Sequence, residues 1–407
     1  VVRIRTEADE QIGELLRRAK DALGLSLTFL TRMDGVTQHL EVVESSLPFF
    51  RDGQTQPQAT SFCQAIREGR LPKVIPNVAK LPEAKRLPAA RFPRIRSFVS
   101  VPVTLSDGSV YGTFCAAGFS ADKGLSKRDE ALMEVLAGAA ATIIEPNQRE
   151  RHRQDEIRGR LVPVVSAGGP VVVLQPIVAL ADGRRVGAEA LSRFPAEWGK
   201  APDVCFAEAA SIGAGVMLEI LALRGASAHL HRVDGYVAMN VSPATLLDPA
   251  CRELLADMQL ERVVLELSEH DPVEDYDLLT AVLAPLRARG MRLAIDDVGA
   301  GFSSLRHIVV TQPDVIKLDR SIVDGVSTDP VLRTLARSLV EFGHSCGAAV
   351  VAEGVETAED AAVLLEAGVD YGQGWHFGRP GPAEQIQAMD RAAAASTPDR
   401  TGHRPEA

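Results

Sequence analysis

An excess of basic residues is missing from this sequence: 44 Lys and Arg stand against 54 Asp and Glu, a formal net charge of −10. Nonspecific binding to a nucleic acid polymer or an anionic membrane needs a basic face, so this balance removes the simplest reason to expect either partner and leaves room for a local basic pocket. Also missing is any CxxC pair. The five cysteines, Cys63, Cys115, Cys205, Cys251 and Cys346, are scattered mostly among apolar residues, as small core side chains in a reducing cytoplasm would be. No uninterrupted apolar stretch approaches the roughly 18 residues needed to span a bilayer, and the polar start Val1-Val2-Arg3-Ile4-Arg5-Thr6-Glu7 has no signal-peptide pattern. A cytoplasmic location with no membrane partner is the expectation.

What is present fits a folded chain of two domains. The 407 residues exceed one ordinary core and match a barrel of about 250 residues plus a smaller domain. A hydrophobic fraction of 46% and a charged fraction of 24% lie at globular averages. In the first half, Glu10–Ala22 reads as a helix, and Leu25–Arg32 and Gln38–Ser45 as strands joined at Asp34-Gly35. A helix near Phe62–Glu68, the apolar segment Lys73–Val78, and the strands Ser97–Leu105 and Ser109–Phe119 complete an antiparallel α+β domain over residues 1–147. Its last helix starts at a Ser126 cap and runs to Ile144, and Pro146 is expected to break or bend it. Residues 148–165 read as a charged helical connector, 166–391 as the second domain and 392–407 as a disordered tail.

In that second domain, apolar runs of strand length recur at Val171–Leu180, Val186–Phe194, Tyr236–Ser242, Arg262–Glu269, Arg292–Gly299, Val315–Ser321, Ala349–Glu356 and Tyr371–Phe377. Runs of this kind are buried on both faces, as in a parallel sheet wrapped by helices, and eight of them make an α/β barrel of the TIM type the expected architecture. Barrel chemistry sits at C-terminal strand ends. Polar residues that packing would not choose stand at nearly every one: Gln175, then Glu189 and Arg193, Asn240, Glu266 and Glu269, Asp296 and Asp297, Lys317 and Asp319, Glu353 and Glu356, and Gln373.

So many carboxylates around one mouth repel each other without compensating cations. Oxygen ligands suit Mg2+ or Mn2+ rather than zinc. Two ions about 3.5–4 Å apart need a bridging carboxylate and further ligands on each side, which Asp296, Asp297 and the surrounding Glu and Asn residues can supply. For any single acid, a buried ion pair with Arg193 or Lys317, or a loop cap, is as good an explanation. For the whole set it is not, because structural pairing needs no acids on so many strands.

Gln175-Pro176-Ile177, Glu189-Ala190-Leu191-Ser192-Arg193, Asn240-Val241-Ser242-Pro243, Glu266-Leu267-Ser268-Glu269, Asp296 through Leu305, Ile316-Lys317-Leu318-Asp319, Glu353-Gly354-Val355-Glu356 and Gln373-Gly374-Trp375 follow one another in order between Pro170 and Pro380. Together they resemble the EAL phosphodiesterases, which cleave cyclic di-GMP to linear pGpG. The resemblance implies that Glu189, Asn240, Glu266 and Asp296 hold one metal, and Asp296, Asp297 and Glu353 the second. It implies that Lys317 positions or helps deprotonate the attacking water, with Glu353 and Glu189 also catalytic, and that Gln175, Arg193, Asp319 and Gln373 serve the substrate and metal-water site. Glu269 and Glu356 match acids that hold the loop after the fifth strand, and the first strand is implied to run antiparallel. Departures are confined to Ser268, Val298, Ala300 and Phe302, where the family usually has Thr, Phe, Thr and Tyr, and none removes a metal ligand.

The front segment, from roughly Glu7 to Ile144, resembles a GAF domain in Ser61-Phe62-Cys63-Gln64-Ala65-Ile66 leading to Val74-Ile75-Pro76-Asn77, and in Tyr111-Gly112-Thr113-Phe114-Cys115. Such domains bind a small ligand or pair with a copy of themselves, so an unidentified signal and a homodimer are the implied partners beside the substrate. A lone Cys63 or His39 is more often packing or surface than a cofactor ligand. No GGDEF-like cyclase segment is present. Two rival readings are a barrel that binds cyclic di-GMP without cutting it and a scaffold. The first conflicts with the retained ligands and lysine, and the second leaves the ring of acids unexplained.

Overall fold

Thr6 and Asp9 close a capping box at the head of the helix Glu7–Leu23, and Gly24 ends it at φ 63°, a left-handed turn that glycine takes without steric cost. The computed structural model containing this helix describes residues 5–47, 49–268, 272–299 and 302–396. Two compact units meet in the chain between Arg153 and Gln154.

The N-terminal unit is an antiparallel sheet of β1 (Leu27–Met33), β2 (Thr37–Ser45), β3 (Thr55–Pro57), β4 (Val74–Ile75), β5 (Ser97–Thr104) and β6 (Val110–Gly118), in the order β3-β2-β1-β6-β5-β4. Alternation along the strands divides its side chains between two faces. Val99, Val101, Phe114 and Ala116 pack with Ile12, Leu16, Met133 and Ile144 of the flanking helices. Phe98, Cys115 and Ala117 face the other way, into a core with Phe62, Ile75 and Leu87. This is the expected α+β domain.

One expectation fails. The helix Lys127–Ser166 is continuous through Pro146, where a break or bend was expected. Proline removes a single i→i−4 bond, and the turns on either side are held by burial of Ala140, Ala141 and Ile144 before it and Ile157, Leu161 and Val164 after it. The last helix, Ala383–Ser396, extends into the alanine run, and residues 397–407 of the expected tail lie outside the described residues. Among the described residues no helix is long and apolar enough to cross a membrane.

The C-terminal unit is a closed barrel of β7 (Val171–Ala179), β8 (Arg185–Arg193), β9 (Tyr236–Asn240), β10 (Val263–Ser268), β11 (Arg292–Val298), β12 (Val315–Leu318), β13 (Ala349–Ala352) and β14 (Tyr371–Gln373). Neighbours pair in parallel except β7, which is antiparallel to both β8 and β14. Only Leu180–Arg184 joins β7 to β8, and a parallel crossover needs a dozen residues or more. Ile177, Tyr236, Ala238, Val264, Ala294, Val315 and Val351 form one buried cluster contributed by six different strands. With that packed interior below it, the polar mouth is built at the strand ends.

Candidate active site

Asp296 and Asp297 are consecutive, so a regular strand would send them to opposite faces. Instead the β11–β12 register shifts between Ile295 and Val298, and Asp297 has φ 57°, a left-handed conformation that aspartate tolerates better than most residues. The Asp297 backbone N–H donates to Asp296 Oδ1 at 3.0 Å. The bulge brings both carboxylates into one cluster. Glu189, Glu266 and Asp296 each offer an oxygen within 4.8 Å of the others, and so do Asp296, Asp297 and Glu353, so the two triads share Asp296.

Lys317 lies at the centre, fully buried from β12. Its Nζ is 2.5 Å from Glu353 Oε1, 3.0 Å from Glu266 Oε2, 3.1 Å from Asp296 Oδ1 and 3.5 Å from Glu189 Oε2. Burial pulls the Lys317 ammonium toward neutrality, but the charges of Asp296, Glu189, Glu266 and Glu353 outweigh it and hold it well above the usual lysine range. One cation does not satisfy four acids equally. Burial raises Glu189, yet Lys317 and the Gln373 and Asn240 amides hold it below the ordinary glutamate value. Burial pushes Glu266 well up against the pull of Lys317, with Glu189 and Asp296 adding to the rise. Burial likewise pushes Glu353 up to about 8 despite Lys317, with Asp296 and Glu189 contributing.

The amides complete the cluster. Asn240 Nδ2 donates to Glu189 Oε1 at 2.9 Å, and Gln373 Nε2 donates to Glu189 Oε2 at 2.5 Å and to Gln175 Oε1 at 3.1 Å. Gln373 Oε1 is buried without a hydrogen-bond partner, the kind of orphan that a bound cation or its water satisfies. This orphan, the hard oxygen donors and the shared Asp296 fit divalent cations of the Mg2+ or Mn2+ class.

Two clefts open here. One, about 270 Å³, is lined by Gln175, Glu189, Asp296, Glu353, Glu356 and Gln373 together with Arg320 and Trp375. The other, about 340 Å³, reaches Arg193, Asn240 and Glu266 and has apolar walls including Phe206 and Leu223. Asp319 does not join the acid cluster. It caps the short helix Arg320–Val323 by accepting from the Ser321 backbone N–H at 2.9 Å and from its hydroxyl. Glu356 pairs with Arg320 at 2.7 Å, and Glu269 lies outside the described residues.

Arg320, Phe206 and Trp375 line the clefts without matching any motif in the sequence that marks them as site residues. Arg320 was findable as the first residue after the Lys317-Leu318-Asp319 run. Trp375 is 52% exposed, with the Arg379 guanidinium 4.4 Å from its ring centroid. Phe206 had no local signal, because it reaches the cleft from a helix between β8 and β9.

Gly374 holds this end of β14 in place. At φ 157° its missing Cβ leaves room for the Val355 backbone N and O, which any side chain would strike. Gly374→Ala is expected to cost at least about 2 kcal/mol of unfolding free energy and to displace Gln373. Chemical denaturation of the purified variant reads the loss, and a midpoint equal to wild type would show that the backbone relaxes freely.

A closed barrel with an antiparallel first strand, an acid cluster sharing one aspartate and a buried lysine at the strand ends defines a class of acid-lined, divalent-cation-type barrel proteins. The chain belongs to the EAL domain family, which it matches over residues 158–380, and it matches the GAF domain family over residues 6–145. It is 29% identical over 258 residues to the probable cyclic di-GMP phosphodiesterase PdeB of Escherichia coli K12, covering 60% of this chain and 48% of that protein. The chain thus spans about half the length of this curated relative. Its structure is similar to that of the PaMucR phosphodiesterase in complex with c-di-GMP (TM-score 0.51, 26% identity, 57% of this chain and 99% of that one). The fold is shared with an EAL domain protein of Listeria monocytogenes EGD-e (TM-score 0.52, 22% identity, 58% and 98%).

Proposed function

We propose that the barrel hydrolyses cyclic di-GMP to linear pGpG with two divalent cations, Mg2+ or Mn2+. The observation that carries this reading is the pair of acid triads meeting at Asp296 around the Lys317 ammonium. The name of PdeB and the c-di-GMP complex of PaMucR support the choice of substrate.

Glu189, Asn240, Glu266 and Asp296 would hold one ion and Asp296, Asp297 and Glu353 the other, with Gln373 beside them. When bound, such ions lower the pKa of water and stabilise charge on a phosphoryl oxygen. Lys317, already within reach of both triads, orients the attacking water. Arg193, on the larger cleft, supplies positive charge to a phosphate, and the Gln175 amide positions the ligand from the other cleft. Incubating the full chain with Mg2+ or Mn2+ and cyclic di-GMP, and resolving products chromatographically, should give pGpG that disappears with excess chelator. Binding without product would favour an effector module instead, and neither binding nor product would remove cyclic di-GMP altogether.

With Glu353 raised to about 8, the metal-free cluster keeps a proton at neutral pH. Ligation through Glu353 and the likewise raised Glu266 releases protons, so apparent Mn2+ affinity should rise at least about tenfold per unit from about pH 6 to about pH 8. Calorimetry in buffers of different ionisation enthalpy measures the release. Affinity flat across that range would place the proton elsewhere.

The order of parts, a GAF domain before the barrel, supports regulation by the front unit in a homodimer. Removing residues 1–144 is then expected to change turnover without abolishing it. Equal rates, with both proteins monomeric by light scattering, would leave the front unit without that role.

A further inference from the structure

The apolar core on one face of the N-terminal sheet contains a polar island. Cys63, on the helix Phe62–Arg67, and Cys115, on β6, are both buried and place their sulfurs 3.3 Å apart across a sequence separation of 52 residues. Around them stand side chains that an apolar core would not choose. Ser100 Oγ lies 3.2 Å from Cys115 Sγ, the Cys115 thiol donates to Thr113 Oγ1 at 3.1 Å, and Thr113 is tied in turn to Thr31 Oγ1 at 2.8 Å. Gln38 is also fully buried, and its Nε2 has no hydrogen-bond partner.

We propose that Cys63 and Cys115 are a redox-active dithiol that a hydroperoxide closes to an intramolecular disulfide. The geometry is near the product: an S–S bond is about 2.05 Å, so the sulfurs need to approach by little more than about 1 Å. The polar shell prepares one sulfur to react. Burial raises a thiol, but hydrogen bonding from Cys115, Thr113 and Ser100 reverses that for Cys63 and holds it below the usual cysteine value. The same burial and the neighbouring Cys63 push Cys115 up. The assignment of roles follows, because thiolate is the nucleophile and the more acidic thiol supplies it. The Gln38 amide N–H, which has no acceptor in the dithiol form, is a donor that favours the Cys63 thiolate.

The steps balance with hydrogen peroxide as the oxidant. Cys63 thiolate attacks one peroxide oxygen, the O–O bond breaks, and hydroxide leaves to give Cys63 sulfenic acid. Cys115 sulfur then attacks the Cys63 sulfur. The S–S bond forms, and the departing hydroxide takes the Cys115 proton as water. Two thiols lose two electrons and the peroxide becomes two waters. Because neither sulfur meets solvent, reaction awaits local opening around Phe62–Arg67, and the closed form cross-links this helix to the central strand β6.

The test uses the full chain, reduced and then exposed to hydrogen peroxide, quenched, denatured, alkylated and digested without reductant. Mass spectrometry should find the Cys63 and Cys115 peptides joined, with a deficit of two hydrogens that dithiothreitol reverses. Cys205 and Cys251, buried but unpaired, serve as internal controls and should alkylate fully. In Cys115→Ala, a sulfenic-acid trap should label Cys63 and the intramolecular link should vanish. Recovery of Cys63 and Cys115 as alkylated thiols at a peroxide dose that oxidises the exposed Cys346 would overturn the proposal. That readout is taken on the unmutated protein, so a variant that fails to fold does not affect it.

Discussion

Glu189→Ala is expected to lose cyclic di-GMP hydrolysis by at least about a thousandfold, equivalent to roughly 4 kcal/mol of barrier, while the metal-free protein melts close to wild type. The two effects separate because Glu189 does different things in the two states. In the metal-free cluster it is one of four acids around Lys317 and helps push Glu266 and Glu353 up, so its removal relieves repulsion even as Asn240 and Gln373 lose an acceptor. In the proposed metal-bound state it is one of the three carboxylates of the triad with Glu266 and Asp296, so its loss takes one carboxylate of three from that ion. Added Mn2+ should therefore stabilise wild type against heat and leave the variant nearly unchanged, because binding to the folded state alone raises its melting temperature. Undiminished turnover by this variant, or full activity of wild type in excess chelator, would end the metal mechanism.

Lys317→Ala should have the opposite signature. Removing one member of a buried ion cluster leaves charge uncompensated, at a cost of about 3–5 kcal/mol in the metal-free protein. The remaining acids can take up protons in place of the ammonium. Glu266 and Glu353, already raised above their unfolded values, then rise further, so stability is retained at low pH and lost as pH climbs. The variant should thus lie closer to wild type at about pH 6 than at about pH 8.5, and divalent cations should recover much of the deficit. In kinetics, kcat should fall far more than affinity for cyclic di-GMP measured in Ca2+, since the role proposed for the ammonium is to serve the water more than the substrate. Equal losses in both would make Lys317 chiefly a substrate contact, and a pH-independent loss of stability would mean the acids do not titrate as a cluster.

The strands, the α+β character of the first unit and the family were legible in the sequence because each rests on short-range order. Alternation in Val101-Pro102-Val103-Thr104 and continuous apolar runs such as Val263-Val264-Leu265 record which faces are buried, whatever those faces meet. The antiparallel start of the barrel was also legible. It was read from resemblance, although the five-residue link Leu180–Arg184 already forbids a parallel crossover. Pro146 misled because the local rule counts one lost hydrogen bond and not the packing on either side.

The acids themselves, their residue types and their places at strand ends were set by sequence alone. How they group was not. A register shift against β12 turns Asp296 and Asp297 to one side, barrel closure brings Glu189 and Gln373 together from 184 residues apart, and Lys317 meets four carboxylates drawn from four other strands or strand ends. Cys63 and Cys115 likewise read as two scattered core thiols until the sheet and its covering helix placed them in contact. Sequence patterns report burial and local conformation within a few residues, whereas charge coupling and thiol chemistry depend on distances between segments, and those distances are decided only when the strands close and pack.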